Sequence, residues 1–244
     1  MEKQRLDKFL SSQTGLSRSE ARTVIRRGRV TVNGETVRDF GQAISPQTDN
    51  IAFEGQNILY RKYMYILMNK PKGVLCASND KSRETVVDLV PENLKRNGLF
   101  PVGRLDRDTT GMLMITDDGD FAHRIISPKS LISKSYIATL DGKVTPEMAE
   151  RFKAGVTLAD GTLCRPAILE ALGENIARLV LCEGKYHEVK RMFGTVGLGV
   201  NELHRESIGD LCLPDGIAEG ECVEMTENWL ELLQKSTRYA FRTK

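Results

Sequence analysis

Gly103-Arg104-Leu105-Asp106-Arg107-Asp108-Thr109-Thr110-Gly111 runs directly into Met112-Leu113-Met114-Ile115-Thr116, and this junction decides how the larger part of the chain is read. The apolar run has the length and composition of a buried strand, and the turn residues Asp117-Asp118-Gly119 close it. The charged run between two glycines is site-like. Arg104, Asp106 and Asp108 lie two residues apart, so an extended backbone would place their side chains on one side. No packed core wants three charges there. On spacing alone, an exposed turn between strands accounts for them equally well.

Working outward, Tyr65-Ile66-Leu67-Met68 reads as another buried strand, ending at the basic, turn-rich loop Asn69-Lys70-Pro71-Lys72-Gly73. Tyr136-Ile137-Ala138-Thr139-Leu140 and Ala177-Arg178-Leu179-Val180-Leu181 add two more. Thr145-Pro146-Glu147 starts a helix, with Thr as cap and Pro at the first helical position. Val189, Met192, Phe193 and Val196 mark one face of a further helix, preceded by Glu183-Gly184-Lys185-Tyr186-His187. Strands and helices mix without β-α alternation, so the expected class is α+β with a mainly antiparallel sheet flanked by helices. Neither G-x-G-x-x-G nor G-x-x-x-x-G-K-[ST] occurs, so no cofactor is expected.

The start of the chain differs in charge. Residues 1–29 carry a net charge of +5, residues 30–60 one of −3. Leu6, Phe9 and Leu10 have helical spacing, and Ser17 with Glu20 three residues on is a capping box that announces a second helix, stopping at Gly28. On that helix Ala21, Val24 and Ile25 form the apolar stripe. Arg18, Arg22, Arg26 and Arg29 follow one another at three- and four-residue steps on a neighbouring face. Val30-Thr31-Val32, the turn pair Asn33-Gly34, and Glu35-Thr36-Val37 read as a tight hairpin. A row of arginines suits phosphate oxygens, because each guanidinium donates two parallel hydrogen bonds and stays charged. Residues 56–63 have neither periodicity nor turn signals and are read as a linker, giving domains at 1–60 and 61–244.

Composition excludes several classes. With 244 residues, 40% of them hydrophobic, the chain is long enough for a real core. No apolar run reaches membrane-spanning length and the start lacks a signal-peptide core, so a cytoplasmic protein with no membrane partner is expected. Five widely spaced cysteines form no C-x-x-C pair, and His123, His187 and His204 lack ligand spacing, so no metal is expected and all eight are read as structural or surface residues. No long exposed apolar pattern demands a second copy, and a monomer is expected. Asp106 between Arg104 and Arg107 is a carboxylate that a cation could hold ionised, as nucleophile or base, with Lys190 and Arg191 as further cations. A second carboxylate from Asp108, Asp117 or Asp118 would fit a glycosidase, which spacing alone leaves open.

Two resemblances bear on these readings. Arg5-Leu-Asp-Lys-Phe-Leu10, Ser17-Arg-Ser-Glu-Ala21 and Arg26-Arg-Gly-Arg-Val-Thr-Val-Asn-Gly34 resemble the S4 RNA-binding domain (αL-type) over residues 1–60. Gly103–Gly111 is similar to the signature of pseudouridine synthases, in the branch that carries an S4 domain and modifies ribosomal RNA. Met68-Asn-Lys-Pro-Lys-Gly73, Lys134-Ser-Tyr136 and Glu183–Phe193 agree in order and spacing. The last segment, with Glu202–Gly209, is most similar to enzymes acting on 16S rRNA.

The resemblance implies a catalytic domain over residues 61–244, a substrate in 16S rRNA or a small-subunit assembly intermediate, and no cofactor. It implies Asp106 as catalytic carboxylate, Tyr136 stacked on a flipped base, Lys190 as the cation paired with the aspartate, and Arg104 holding the flipped nucleotide. Asp108 is then read as local turn structure. Arg5, Lys8, Arg18, Arg22, Arg26, Arg27, Arg29, Lys70, Lys72, Lys134 and Arg191 are the expected RNA contacts. An enzyme acting on 23S rRNA, or a ribosome-assembly factor without turnover, are the alternatives. Extracting a uridine from its stack costs on the order of a few kcal/mol, which phosphate contacts elsewhere help to offset.

Overall fold

The computed structural model describes residues 3–236. The chain forms two compact units. One runs to Met64 and includes Val90–Leu99; the other comprises Tyr65–Leu89 and the chain from Phe100 onward.

The first unit begins with β1 (Gln4–Arg5), α1 (Leu6–Gln13) and α2 (Arg18–Arg26). The Ser17 hydroxyl accepts from the Glu20 amide and the Glu20 carboxylate accepts from the Ser17 amide, so the capping box closes as read. Beyond α2, Gly28 has φ +73°, a left-handed residue that ends the helix at little steric cost. Then follow β2 (Val30–Val32), β3 (Glu35–Val37), β4 (Ala43–Ile44), β5 (Ile51–Phe53) and β6 (Gln56–Asn57). β2 and β3 form the expected hairpin around Asn33-Gly34, in a sheet ordered β3-β2-β5-β6, while β4 pairs with β1. Leu6, Phe9, Leu10, Ala21, Ile25, Val30 and Ile51 form the core.

The stretch read as a linker is structured at its start. Gln56–Asn57 pairs with β5, Ile58 and Tyr60 pack on this core, and the break between units falls after Met64. Val90–Leu99 belongs to the first unit although it is distant in sequence. Its Asn97 side chain donates to the Ser11 and Leu16 carbonyls at 3.1 and 2.6 Å.

The second unit contains β7 (Tyr65–Lys70), β8 (Phe100–Pro101), β9 (Thr110–Thr116), α3 (Gly119–Ile126), β10 (Lys134–Leu140), α4 (Pro146–Ala154), β11 (Ile168–Ala171) and β12 (Ile176–Leu181). It continues with α5 (Glu188–Gly194), β13 (Val200–Ile208), β14 (Leu211–Cys212), β15 (Cys222–Glu224) and α6 (Glu227–Lys235). The sheet is ordered β11-β12-β10-β13-β9-β7-β15, with β14 on β13 and β8 on β9. Every pairing is antiparallel except β9 with β13, so the α+β class with a mixed, mainly antiparallel sheet holds. The helices α3 and α6 were not legible as elements. Asp118 caps α3, its Oδ1 accepting from the Phe121 amide. Among the described residues no helix is long and apolar enough to cross a membrane.

The parallel pair positions the site. Gly111 lies opposite Arg205 of β13 and Lys70 of β7, at φ +100°. A Cβ built there would lie 2.4 Å from the Arg205 carbonyl oxygen, so only glycine lets the strands approach where the charged segment enters the sheet.

Candidate active site

The segment Gly103–Thr109 is a loop, the turn reading of the two that spacing left open. The Thr109 amide donates to the Asp106 carbonyl at 3.1 Å, closing a turn over Asp106-Arg107-Asp108-Thr109. Lys70 holds that turn in place. Its side chain is fully buried, and its ammonium donates to the carbonyls of Pro71, Arg107 and Thr109 at 2.9, 3.3 and 3.0 Å. The Gly73 amide donates to the Arg107 carbonyl at 2.8 Å. Burial moves the Lys70 pKa down from the ordinary lysine value, a cost that three carbonyl dipoles offset.

Two expected RNA contacts are therefore corrected. Lys70 is an internal clamp on the loop. Lys134 is also buried, its ammonium donating to the Ile132 carbonyl at 3.0 Å, and burial brings its pKa down to about 8. Both ammoniums are buried and bonded to backbone carbonyl oxygen, so neither is presented as an exposed phosphate contact. Arg191 is committed to the Asp160 carboxylate and the Tyr186 carbonyl. Lys72 is exposed.

Arg104, Asp106 and Tyr136 line one narrow cavity of about 60 Å3 with Thr109, Leu181, Lys185, His187 and Leu203. Tyr136 comes from β10, where it pairs with Leu179 of β12 and Arg205 of β13, and it is only 8% exposed. Arg104 is exposed at the rim and makes no hydrogen bond among the described residues. A cavity of about 690 Å3 between α3 and α6 contains none of these residues.

Lys190 reaches the loop from α5, but not as expected. Its ammonium is 2.6 Å from Asp108 Oδ1 and 2.7 Å from Asp108 Oδ2, and 3.6 Å from Asp106 Oδ2. Asp108 is thus the closer partner of the cation, not a cap on its own turn. The Lys190 ammonium holds the Asp108 carboxyl below the usual carboxylate range, against the smaller effect of burial. The aspartates share one lysine, with Asp106 facing the cavity.

His187, read from the sequence as structural, stands beside Asp106 with Nε2 3.5 Å from Oδ1. It caps α5 in the left-handed region at φ 47° and stacks on Tyr186, ring centroids 3.9 Å apart. No spacing signal links it to Asp106; only the fold brings them together. Asp118, weighed as a second carboxylate, is spent elsewhere: it caps α3 and accepts from the Tyr65 hydroxyl at 2.6 Å.

Glu188, which also lines the narrow cavity, brings its carboxylate together with Glu183 and the Cys164 thiol, their ligand-type atoms within 4.8 Å of one another. Two cations stand at this cluster: Lys185 contacts the Glu183 carboxylate and lies 3.8 Å from Glu188 Oε1, and Arg165 Nε lies 4.0 Å from Glu183 Oε2. Burial, then the neighbouring Glu183 carboxylate, raise the Glu188 carboxyl to about 7.

In the first unit, α2 carries Arg18, Arg22 and Arg26, whereas Arg29, read from the sequence on the same helix, lies beyond its end; most of these arginines are engaged. Arg5, Arg18 and Arg22 converge on Asp7, Arg26 lies over the Phe40 ring, and Arg29 pairs with Glu54. Lys8 and Arg27 are exposed.

A charged loop clamped at the parallel junction of a mixed sheet, with a buried tyrosine across a slot and a basic helical module at the other end of the chain, defines the class. The chain belongs to the RNA pseudouridylate synthase family, which matches residues 64–195, and carries an S4 domain matching residues 4–49. It is 43% identical over 226 residues to Ribosomal small subunit pseudouridine synthase A of Escherichia coli (strain K12), covering 91% of this chain and 96% of that protein. Its counterpart in Pasteurella multocida is 41% identical over 219 residues, 89% of this chain and 94% of that protein. A solved structure described as a crystal structure of pseudouridylate synthase is 38% identical, with TM-score 0.67, covering 94% of this chain and 99% of that one.

Proposed function

We propose that this protein isomerises a uridine of small-subunit (16S) rRNA to pseudouridine, with Asp106 as the catalytic carboxylate. The observation that carries the reading is the meeting of Arg104, Asp106 and Tyr136 in one slot, in a chain 43% identical to a small-subunit enzyme along 96% of that protein's length. In this reading the target uridine leaves its stack and enters the slot. Asp106 acts on the ribosyl side while the base detaches, turns and re-attaches through carbon, so that one sugar-base bond breaks, one forms and nothing is added. Tyr136 supplies a π face for the base and stands where the proton leaves the newly bonded carbon. Lys190, held between Asp106 and Asp108, keeps positive charge beside the reacting carboxylate. Arg104 holds the extruded nucleotide at the rim, and the S4 domain supplies phosphate contacts.

The test is conversion of uridine in a 16S transcript or small-subunit precursor particle by purified protein, without added metal or nucleotide. Asp106→Asn is expected to bind RNA and leave no pseudouridine. An active Asn variant refutes the catalytic assignment; a modified nucleotide mapped to 23S rRNA refutes the substrate.

A further inference from the structure

Asp7 is fully buried, yet its carboxylate receives three arginines. Arg5 donates through Nε to Oδ1 at 3.2 Å and through Nη2 to Oδ2 at 3.4 Å. Arg18 Nη2 donates to Oδ1 at 3.0 Å and Arg22 Nε to Oδ2 at 2.8 Å. These four bonds use the roughly four lone-pair sites a carboxylate offers. Phe40 stands on the same scaffold, because the Asp7 amide donates to the Phe40 carbonyl at 3.1 Å. The guanidinium carbons of Arg26, Arg22 and Arg5 lie 4.7, 5.3 and 5.7 Å from the Phe40 ring centroid, within cation-π range.

Charge neutrality alone does not call for this arrangement. One guanidinium neutralises a buried carboxylate; three, with a fourth over the ring, gather like charges that repel. Their side chains remain about half exposed, 50%, 49% and 43% for Arg5, Arg18 and Arg22. Arg22 spends only Nε on Asp7, leaving both terminal nitrogens without a hydrogen bond among the described residues. The surplus is positive charge, outward-facing N–H donors and side chains whose rotamers are already fixed. Binding an anion then costs less side-chain entropy than binding by free arginines.

We propose that Asp7 is a positioning residue which, with the Phe40 ring, arranges Arg5, Arg18, Arg22 and Arg26 into one fan that receives closely spaced phosphates of the RNA backbone. This rests on reading RNA as the substrate. It assigns to a buried acid a part in binding a polyanion, and it predicts the opposite sign from simple charge counting. Removing a negative charge from a basic surface strengthens phosphate binding if only net charge matters. If Asp7 sets the geometry, removing it weakens binding.

The experiment uses the full-length protein and a 16S rRNA transcript, with affinity measured at several salt concentrations and single-turnover pseudouridine formation measured at saturating RNA. Asp7→Asn is expected to bind about tenfold more weakly and to lower the salt slope by about one, as phosphate contacts are lost, while the rate at saturating RNA stays unchanged. Equal or tighter binding with an unchanged slope overturns the proposal. Phe40→Leu keeps the ion pairs and removes the ring, so it decides the matter if Asp7→Asn fails to fold. Weaker binding supports the fan, and unaltered binding refutes it. Binding that shifts as expected in a protein forming no pseudouridine would leave the fan standing and sink the enzymatic reading instead.

Discussion

The Lys190 ammonium stands 3.6 Å from the carboxylate of Asp106, held off it by Asp108, which takes the same ammonium at 2.6 Å. Asp106 is left facing the cavity with charge nearby but no tight ion pair to break. Lys190→Met is expected to lower kcat about a hundredfold, the scale of losing one preorganised electrostatic group, with little change in KM. Asp108→Asn is expected to cost less than roughly tenfold, because Lys190 then moves onto Asp106. Single-turnover rates of the two variants check the order; a larger loss from Asp108→Asn would reverse the assignment of the two aspartates.

Lys70 is a buried clamp on the loop carbonyls. Lys70→Met keeps the apolar stem and strips the ammonium from three loop carbonyls. A loss of about 3 kcal/mol is expected in urea unfolding, at the upper end for charged hydrogen bonds given up inside a protein. Pseudouridine formation falls with it, while RNA affinity contributed by the first unit persists.

The Glu188 carboxyl titrates near neutrality, so it makes stability pH-dependent. Its pKa is raised by burial from 4.5 to about 7. Between those values the unfolded chain has lost a proton that the folded protein keeps, so stability falls as pH rises through the window. Glu188→Gln removes this pH dependence. The variant is expected to match the parent near pH 4.5 and to exceed it by on the order of 2 kcal/mol at pH 8. Urea midpoints at the two pH values measure the difference, and equal gaps at both would refute it.

Gly111 has no tolerance for a side chain. With φ +100° and the Arg205 carbonyl oxygen 2.4 Å from a built Cβ, Gly111→Ala must part β9 from β13. A thermal transition lowered by at least about 2 kcal/mol of stability is expected. An unshifted transition would show that the junction can slide.

Much of the fold was legible in local pattern. The capping box at Ser17 and Glu20, the Asn33-Gly34 hairpin and the apolar runs at Tyr65–Met68 and Met112–Thr116 are signals carried by neighbouring residues. They correspond to elements of the structure because short-range chemistry suffices to form them. The membership of Val90–Leu99 in the first unit was not legible, because it joins through Asn97, a long-range contact with no periodic trace.

The site divides in the same way. From sequence alone, the charged loop and its resemblance marked Asp106, Tyr136 and Lys190, and composition marked a basic first domain, because residue identity sets charge, size and hydrogen-bonding capacity. Only the tertiary structure decided which charge meets which. It buried Lys70 and Lys134 as internal donors, placed Lys190 against Asp108, brought His187 to Asp106, and gathered three arginines on Asp7. Burial and distance set the strength of every electrostatic contact, and both arise when distant segments pack together.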